Sequence, residues 1–411
     1  MSFGNHILPL NEWGVFGKEK PSSALCSSVL PNAALPNAAL PNAVLSNAVD
    51  NSLSEPLHNI IAGPCSAESR QQLLDTAVAL HGSGIPVFRA GLWKPRTHPG
   101  TFEGVGVEGL PWLADVRRIV GMKVATEVAT AAHVEACIEA GIDILWIGAR
   151  TTANPFLMQE IAEALSGVDI PVLVKNPLNP DIGLWIGAIE RLDNVGIHRL
   201  GVIHRGFSSS RAVQYRNDPC WHLAVGFRTR CPQIPFFVDP SHMGGDRKYI
   251  KEIMERALRL GADGFMIESH ISPDHALSDS RQQLTPAELS SLLALLSSEF
   301  LESGAEDDTA NLGTKLAMEE IRQLRERIDI IDEELLSLIA ERMQISRGIG
   351  RCKAEHKMPI LQTSRWDEVL SRVLSEGEKR DLPAGFLTTI FNAIHEESVR
   401  QQDDSGHIGC K

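Results

Sequence analysis

The sequence predicts a (β/α)8 TIM barrel followed by a small all-α domain, and three observations lead to this fold class. Between about residues 58 and 301, short apolar segments rich in β-branched residues alternate with segments of helical periodicity. About eight such pairs occupy roughly 240 residues, which is the usual size of the barrel. After residue 314 the strand-like segments end and long amphipathic helices follow. A doubly wound sheet is the alternative, but no GxGxxG motif follows the first strand.

The predicted strands are short and apolar, and helical periods lie between them. The strands are Ile60–Ala62, Val87–Ala90, Lys123–Val128, Ile144–Ile147, Val172–Lys175, Leu200–His204, Phe236–Val238 and Phe265–Ile267. The intervening helices include Gln71–Leu80, His133–Ala140, Phe156–Ala164 and Lys248–Leu260. This alternation is typical of parallel strands surrounded by helices.

The segments outside the barrel are predicted from their composition. Residues 1–57 contain LPNAALPNAALPNAVLSNAV, in which proline recurs too often for a helix, so we predict a disordered tail, with a docking segment as the alternative. Residues 302–314 are acidic and polar, as expected of a linker. Residues 315–403 form the helical domain and residues 404–411 a C-terminal tail. The predicted helices of the helical domain are Leu316–Lys353, about Arg365–Glu378 and about Pro383–Gln401.

Composition restricts the possible partners and the compartment. A net charge of -13 argues against binding to nucleic acid or to anionic membranes. Small anions remain possible ligands, because local clusters of cations act within a Debye length. The seven cysteines are scattered, and neither a signal peptide nor a membrane-spanning apolar run is evident. We therefore expect a cytoplasmic protein without disulfides.

Chemically active residues recur at the ends of the predicted strands, where barrels of this kind carry their active sites. The basic ones are Arg89, Lys94, Arg96, Arg150, Lys175 and Arg205. Cations gathered at one mouth repel each other unless anions neutralise them, and phosphates and carboxylates meet that need. A thiol, an imidazole and two carboxylates form a donor set for a divalent transition metal. These four donors are Cys65, His242, Glu268 and Asp279. The pattern predicts an enzyme that joins phosphorylated metabolites.

Nine segments of the barrel resemble a known family. They read GPCS, FRAGLWKPRT, TEVAT, IGART, LVKNP, HRG, VDPSHMGGDR, IESH and LSD, in this order. Over about residues 59–299 the chain resembles type Iβ 3-deoxy-D-arabino-heptulosonate 7-phosphate (DAHP) synthases. The resemblance implies condensation of phosphoenolpyruvate with erythrose 4-phosphate, the first step of the shikimate pathway and of aromatic amino acid biosynthesis. Condensation with arabinose 5-phosphate is the alternative, and the KPRT segment favours the four-carbon sugar.

The same resemblance implies roles for individual residues. The metal ligands would be Cys65, His242, Glu268 and Asp279, with Mn, Fe, Co or Zn as the ion and Mn expected in vitro. The contacts to phosphoenolpyruvate would be Arg89, Lys94, Arg150, Lys175 and Arg205. Arg96 and Thr97 would bind erythrose 4-phosphate. Lys94 and Glu127 are the candidates for proton transfer or water positioning.

Basic residues also recur along the predicted long helix. Arg342 and Lys353 are eleven residues apart, so they lie within about 20° of one helix face and roughly 16 Å apart along the axis. Two long side chains at that spacing can converge on one dicarboxylate. Arg325 lies about 25 Å from Arg342 along the same axis and on a different face. An antiparallel partner helix would be needed to bring it to the same ligand.

The helical segment resembles the AroQ-type chorismate mutases. The match rests on LRERIDIIDEELLSLIAERMQISRGIGRCK and EESVRQQ and covers about residues 315–402. It implies an intertwined homodimer that isomerises chorismate, with Lys353 and Gln402 as donors to the ether oxygen. The implied chorismate-binding residues are Arg325, Arg342, Lys353, Arg365, Ser398 and Gln402. Gln362 and Trp366 depart from the family, in which many members carry acidic residues there.

Together the two resemblances imply a bifunctional enzyme that is both a transferase and an isomerase. Because the helical domain binds metabolites from later in the same pathway, we expect allosteric feedback by chorismate or prephenate. The alternative is a DAHP synthase whose helical domain is a non-catalytic module for ligand sensing and dimerisation.

Overall fold

The computed structural model describes residues 7–16, 57–94, 100–209, 214–301, 308–360 and 363–407. The chain forms two compact units, residues 1–304 and residues 305–411. The first unit is a barrel and the second is helical, which confirms the predicted fold class.

Eight parallel strands close the barrel in the order of the sequence. They are β1 (Ile60–Gly63), β2 (Val87–Arg89), β3 (Lys123–Val128), β4 (Ile144–Ile147), β5 (Val172–Lys175), β6 (Leu200–His204), β7 (Phe236–Val238) and β8 (Gly264–Glu268). Pairing of β1 with β8, in the register Gly63 to Glu268, closes the cylinder. The strands are almost entirely buried, because helices cover them outside and side chains fill the interior.

Several of the helices described in this unit begin at a capping side chain. They are α1 (Arg70–Gly82), α2 (Leu110–Asp115), α3 (Ala131–Glu139), α4 (Ala149–Thr152), α5 (Pro155–Ala164), α6 (Ile182–Asn194), α7 (Trp221–Arg230), α8 (Pro240–Gly244), α9 (Ile250–Arg259) and α10 (Pro286–Leu301). Thr130, Asn154 and Asp181 each accept a hydrogen bond from a backbone N–H of the helix that follows. These caps fix the start of each helix after the strand before it.

Residues 7–16 pack against the barrel, so the prediction of a disordered tail is wrong for this segment. Trp13 is only 1% exposed. Its indole lies against Gly201, where an added Cβ would approach the ring to 2.9 Å. Arg199 donates a hydrogen bond to its carbonyl at 2.9 Å, and the ring of Phe16 lies 5.7 Å from that of Phe237. Burial of these aromatic side chains orders the segment. The proline-rich repeat lies outside the described residues.

The second unit contains α11 (Asp308–Glu355), α12 (Thr363–Glu378) and α13 (Ala384–His407). Helix α11 begins within the segment 302–314 that the sequence predicts as a linker, and α13 continues past residue 403 into the predicted tail 404–411. Helix α13 packs along α11 and α12. The apolar residues that α11 places at helical spacing are largely exposed in the single chain; they include Ile321, Leu324, Ile328, Ile331, Leu335, Leu338 and Ile339.

Among the helices of the described residues, none has the length and hydropathy of a membrane-spanning segment.

Candidate active sites

The four predicted metal donors lie together at the carboxyl ends of the strands, as two neighbouring pairs. Cys65 Sγ is 3.1 Å from Asp279 Oδ2, and His242 Nε2 is 3.6 Å from Glu268 Oε1. The pairs interact: burial, followed by the charge of Glu268, raises the pKa of the Cys65 thiol to about 12. The strand order therefore brings residues from opposite ends of the barrel sequence into one cluster.

The donor set fits a divalent ion, although it is not already arranged around one. Among the described residues, no three His, Cys, Asp or Glu donors surround a common ion position. Glu268 Oε1 is buried, and no described residue donates a hydrogen bond to it. His242 Nδ1 lies 2.7 Å from Asp239 Oδ2, which directs Nε2 toward Glu268. An unsatisfied carboxylate oxygen beside an oriented imidazole and a thiol suits a transition metal.

Three buried or half-buried cations surround these donors. Arg89 is 1% exposed, and its Nε and Nη1 find no hydrogen-bond acceptor among the described residues. Lys94 Nζ lies 2.8 Å from Cys65 Sγ. Lys175 Nζ forms a buried ion pair with Asp239 Oδ2 at 2.8 Å. Unsatisfied guanidinium donors in a buried position favour an anionic ligand that supplies the missing oxygens.

Arg205 and Arg150 add positive charge to the same end of the barrel. Arg205 Nη1 donates to Asn217 Oδ1 at 2.8 Å, and its backbone N–H donates to Asn176 Oδ1 at 2.8 Å. Burial lowers the pKa of Arg205 to about 10; Asp239 opposes this shift, while the charges of Arg216 and Arg150 add to it. A bound anion would relieve this repulsion. Arg96 and Thr97 lie outside the described residues.

Glu127 is held by Trp146, a residue that the sequence analysis missed. Trp146 Nε1 donates to Glu127 Oε2 at 2.9 Å, and the Arg89 guanidinium lies 4.7 Å from the centre of the indole ring. A Cβ at Gly148 would collide with Oε1 of Glu127, so glycine leaves the space for this carboxylate. Trp146 therefore connects the candidate proton-transfer residue Glu127 with Arg89, a candidate for anion binding. The run ILWI of β4 is apolar and buried at all four positions, so no local signal distinguishes Trp146.

Asp239, Arg216 and Gln282 also belong to the site and had no assigned role. Asp239 contacts both Lys175 and His242. Arg216 Nη1 donates to Asp279 Oδ1 and to Gln282 Oε1, both at 2.9 Å. Gln282 Nε2 in turn donates to Glu268 Oε2 at 2.7 Å. Asp239 directly follows β7, so the sequence alone places it at the carboxyl end of the strands, although it indicates no role for it. Arg216 lies in a loop beyond β6, where no periodic pattern marks it.

The helical unit brings four of its predicted residues into two bonded pairs. Arg342 donates to the hydroxyl of Ser398. Lys353 Nζ donates to Gln402 Oε1 at 3.0 Å and to the Ile360 carbonyl at 2.6 Å. Both pairs join α11 to α13, so the two cations lie along one groove between these helices. Convergence of the two cations on one dicarboxylate, which their spacing along the helix predicts, stays a prediction.

Two further predicted residues are not brought to this groove within one chain. Arg365 forms an exposed ion pair with Glu368 at 2.9 Å. Arg325 is exposed and forms no hydrogen bond or ion pair with the described residues. Trp366 stacks on His395 with ring centroids 4.1 Å apart. Gln362 lies outside the described residues.

Comparison with known proteins identifies both units. Residues 54–302 match the model of the DAHP synthetase I family, and residues 324–403 match the model of chorismate mutase type II. The phospho-2-dehydro-3-deoxyheptonate aldolase of Thermotoga maritima is 34% identical over 236 residues, which cover 57% of this chain and 68% of that protein. The 2-dehydro-3-deoxyphosphooctonate aldolase of Rhodopseudomonas palustris (strain HaA2) is 30% identical over 258 residues, covering 58% of this chain and 86% of that protein.

Solved structures agree with the sequence comparisons. A crystal structure of the Thermotoga maritima phospho-2-dehydro-3-deoxyheptonate aldolase (DAHP synthase) superposes with a TM-score of 0.54 at 31% identity, covering 60% of this chain and 70% of that one. A truncated form of 3-deoxy-D-arabino-heptulosonate 7-phosphate synthase from the same organism gives a TM-score of 0.52 at 29% identity. Since the first family model covers more than half of the sequence, the chain belongs to the DAHP synthetase I family and carries a chorismate mutase type II unit after its barrel.

Proposed function

We propose that the barrel condenses phosphoenolpyruvate with erythrose 4-phosphate, giving DAHP and phosphate, and that the helical unit converts chorismate to prephenate. The observation that carries the first activity is the buried Arg89 guanidinium, which has unsatisfied N–H groups beside the metal-donor set. A small anion with phosphate and carboxylate groups would supply oxygen acceptors for these N–H groups and negative charge beside the cations. The convergence of Arg342 and Lys353 on one groove supports the second activity.

In the proposed condensation, C3 of phosphoenolpyruvate forms a bond to the aldehyde carbon, water adds at C2, and phosphate leaves. Arg89, Lys175 and Arg205 bind the phosphate and carboxylate groups, together with Lys94 and Arg150. A divalent ion held by the four donors would supply Lewis-acid polarisation of the aldehyde oxygen. Glu127, oriented by Trp146, and Lys94 are the groups that hold or transfer protons near the added water.

To test this condensation, the full-length protein is incubated with phosphoenolpyruvate and one of two sugars, erythrose 4-phosphate or arabinose 5-phosphate. We expect phosphate release with the four-carbon sugar, loss of this activity after chelation, and recovery with Mn, Fe, Co or Zn ions. The five-carbon sugar is the informative control, because one relative is named as an octonate aldolase. A preference for arabinose 5-phosphate would contradict the proposed substrate, and full activity after chelation would contradict the metal.

We propose a homodimer formed through α11, in which Arg325 enters the site of the partner subunit. The exposed apolar residues of α11 support this arrangement, because a second copy of the helix would cover them. Arg325 is exposed and far along the helix from Arg342, so a site within one chain would lack it.

Mixing two inactive variants tests the shared site. Arg325→Ala and Lys353→Ala should each lose mutase activity alone. After subunit exchange, half of the dimers are mixed and each contains one intact site, so activity should return to about a quarter of the wild-type value. Each variant incubated alone through the same exchange is the control. No recovery in a mixture in which exchange is verified would place Arg325 in its own subunit's site.

We further propose that chorismate or prephenate bound to the helical unit slows DAHP synthesis. The proposal is supported by the presence of both families in one chain, since a metabolite from later in a pathway is a natural inhibitor of an earlier step. Saturating prephenate should lower the rate of DAHP formation in the wild type and have less effect in Arg342→Ala. An unchanged rate in the wild type would exclude this regulation.

A further inference from the structure

The groove of the helical unit has a third polar position next to the two that hold cations. His395, Ser398 and Gln402 follow one another on α13 at spacings of three and four residues, so their side chains share one helix face. Arg342 donates to Ser398, and Lys353 donates to Gln402. His395 is the next position on this face toward the start of α13, and none of the assignments above gives it a role.

A stacked neighbour fixes the orientation of His395. Trp366 of α12 lies against the imidazole with centroids 4.1 Å apart and planes inclined by only 16°. Stacking occupies the face of the imidazole and leaves the two nitrogens at its edge. Those nitrogens form no hydrogen bond with the described residues, although the side chain is half-buried. The ring is thus oriented and retains its capacity for a polar ligand.

The surroundings of His395 also favour the neutral form of its imidazole. Burial and then the positive charge of Arg342 lower its pKa below the ordinary value of 6.5, while Glu396 acts in the opposite direction. A neutral imidazole has one acceptor nitrogen and one N–H donor. A carboxylate at this place would repel a dianionic substrate, whereas a neutral ring accepts a hydrogen bond without that cost.

We propose that His395 binds the ring hydroxyl of the dicarboxylate held by Arg342 and Lys353, and that Trp366 is the positioning residue that orients its imidazole. This inference rests on the proposed mutase function and adds a specificity-determining contact to it. In this chain, the stacked pair takes over the hydroxyl recognition for which many relatives use acidic side chains.

The test compares His395→Phe with the wild-type full-length protein on two substrates, chorismate and its analogue with hydrogen in place of the ring hydroxyl. Phenylalanine keeps a ring for Trp366 to stack on but has no acceptor. We expect KM for chorismate to rise about tenfold, with KM for the analogue changed by less than about twofold. Trp366→Ala should reproduce this selectivity loss and Trp366→Phe should largely avoid it. Glu396→Gln, at an exposed neighbouring position, is the matched control.

The His395→Asn variant keeps a hydrogen-bond acceptor, so it should retain most of the discrimination between the two substrates. Thermal unfolding of every variant is measured beside the kinetics, which detects a folding defect. Equal losses on both substrates in His395→Phe would overturn the contact to the hydroxyl, and so would no loss on either. If the wild type neither binds nor converts chorismate, the proposed mutase function fails and this inference fails with it. Conversion by the wild type together with an unaffected His395→Phe would overturn the inference alone.

Discussion

Replacing Arg89 by alanine is expected to lower the rate of DAHP synthesis by about 10²–10³-fold. The guanidinium is buried, its Nε and Nη1 have no acceptor among the described residues, and one face lies 4.7 Å from the Trp146 ring. In the proposed site a bound substrate anion supplies those acceptors, so alanine would remove two charge-assisted hydrogen bonds at once. Steady-state rates of phosphate release at varied phosphoenolpyruvate concentration measure the loss.

The Arg89→Lys variant separates the effect of the positive charge from the effect of the planar arrangement of guanidinium donors. Lysine keeps the positive charge near Glu268 but lacks the planar fork of five donors, so we expect activity between those of alanine and the wild type. Chorismate conversion by the same preparations is the internal control, because Arg89 belongs to the barrel unit. If Arg89→Ala retained normal DAHP synthesis, the anion site would have to lie elsewhere at the mouth of the barrel.

Replacing Lys353 by alanine is expected to lower the turnover of chorismate by about 10²–10³-fold while weakening its binding much less. Lys353 donates to Gln402 and lies on the groove that also carries Arg342 and Ser398. In a mutase, its ammonium stabilises the negative charge that develops on the ether oxygen as the bond breaks. The measurement is kcat and KM for prephenate formation, together with the dissociation constant of chorismate by calorimetry.

The same variant distinguishes catalysis from ligand sensing. A non-catalytic sensing module would lose only affinity on this substitution, since it has no transition state to stabilise. Arg347→Ala is a matched control, because Arg347 lies on α11 between Arg342 and Lys353 and bonds Gln401 on α13. It should leave turnover largely intact. Equal losses of turnover in both variants would indicate a general disturbance of the contact between α11 and α13.

The strands, and the cluster that the four candidate metal donors form, could be predicted from the sequence, because most of these residues lie at or just after an apolar run. The boundaries of β3 to β7 coincide with the predicted segments, which are short and largely apolar runs. Cys65 and His242 come just after such runs, and Glu268 is the last residue of β8, so the strand order alone brings them together.

The remaining parts of the site depend on tertiary structure. The bond between Trp146 and Glu127 requires two neighbouring strands in one particular register, in which Trp146 and Glu127 are paired. Asp239 acquires its role only when Lys175 and His242 meet on either side of it. Residues 7–16 precede a proline-rich repeat that dominates the composition of the tail, and burial of Trp13 against the barrel, which the sequence does not reveal, orders them.

The most direct test of the central claim is the consumption of chorismate by the purified full-length protein, with the product identified as prephenate. The presence of both families in one chain predicts turnover in the same preparation that releases phosphate from phosphoenolpyruvate and erythrose 4-phosphate. Tight binding of chorismate without turnover would contradict the bifunctional account, and the protein would then be a DAHP synthase with a helical sensor.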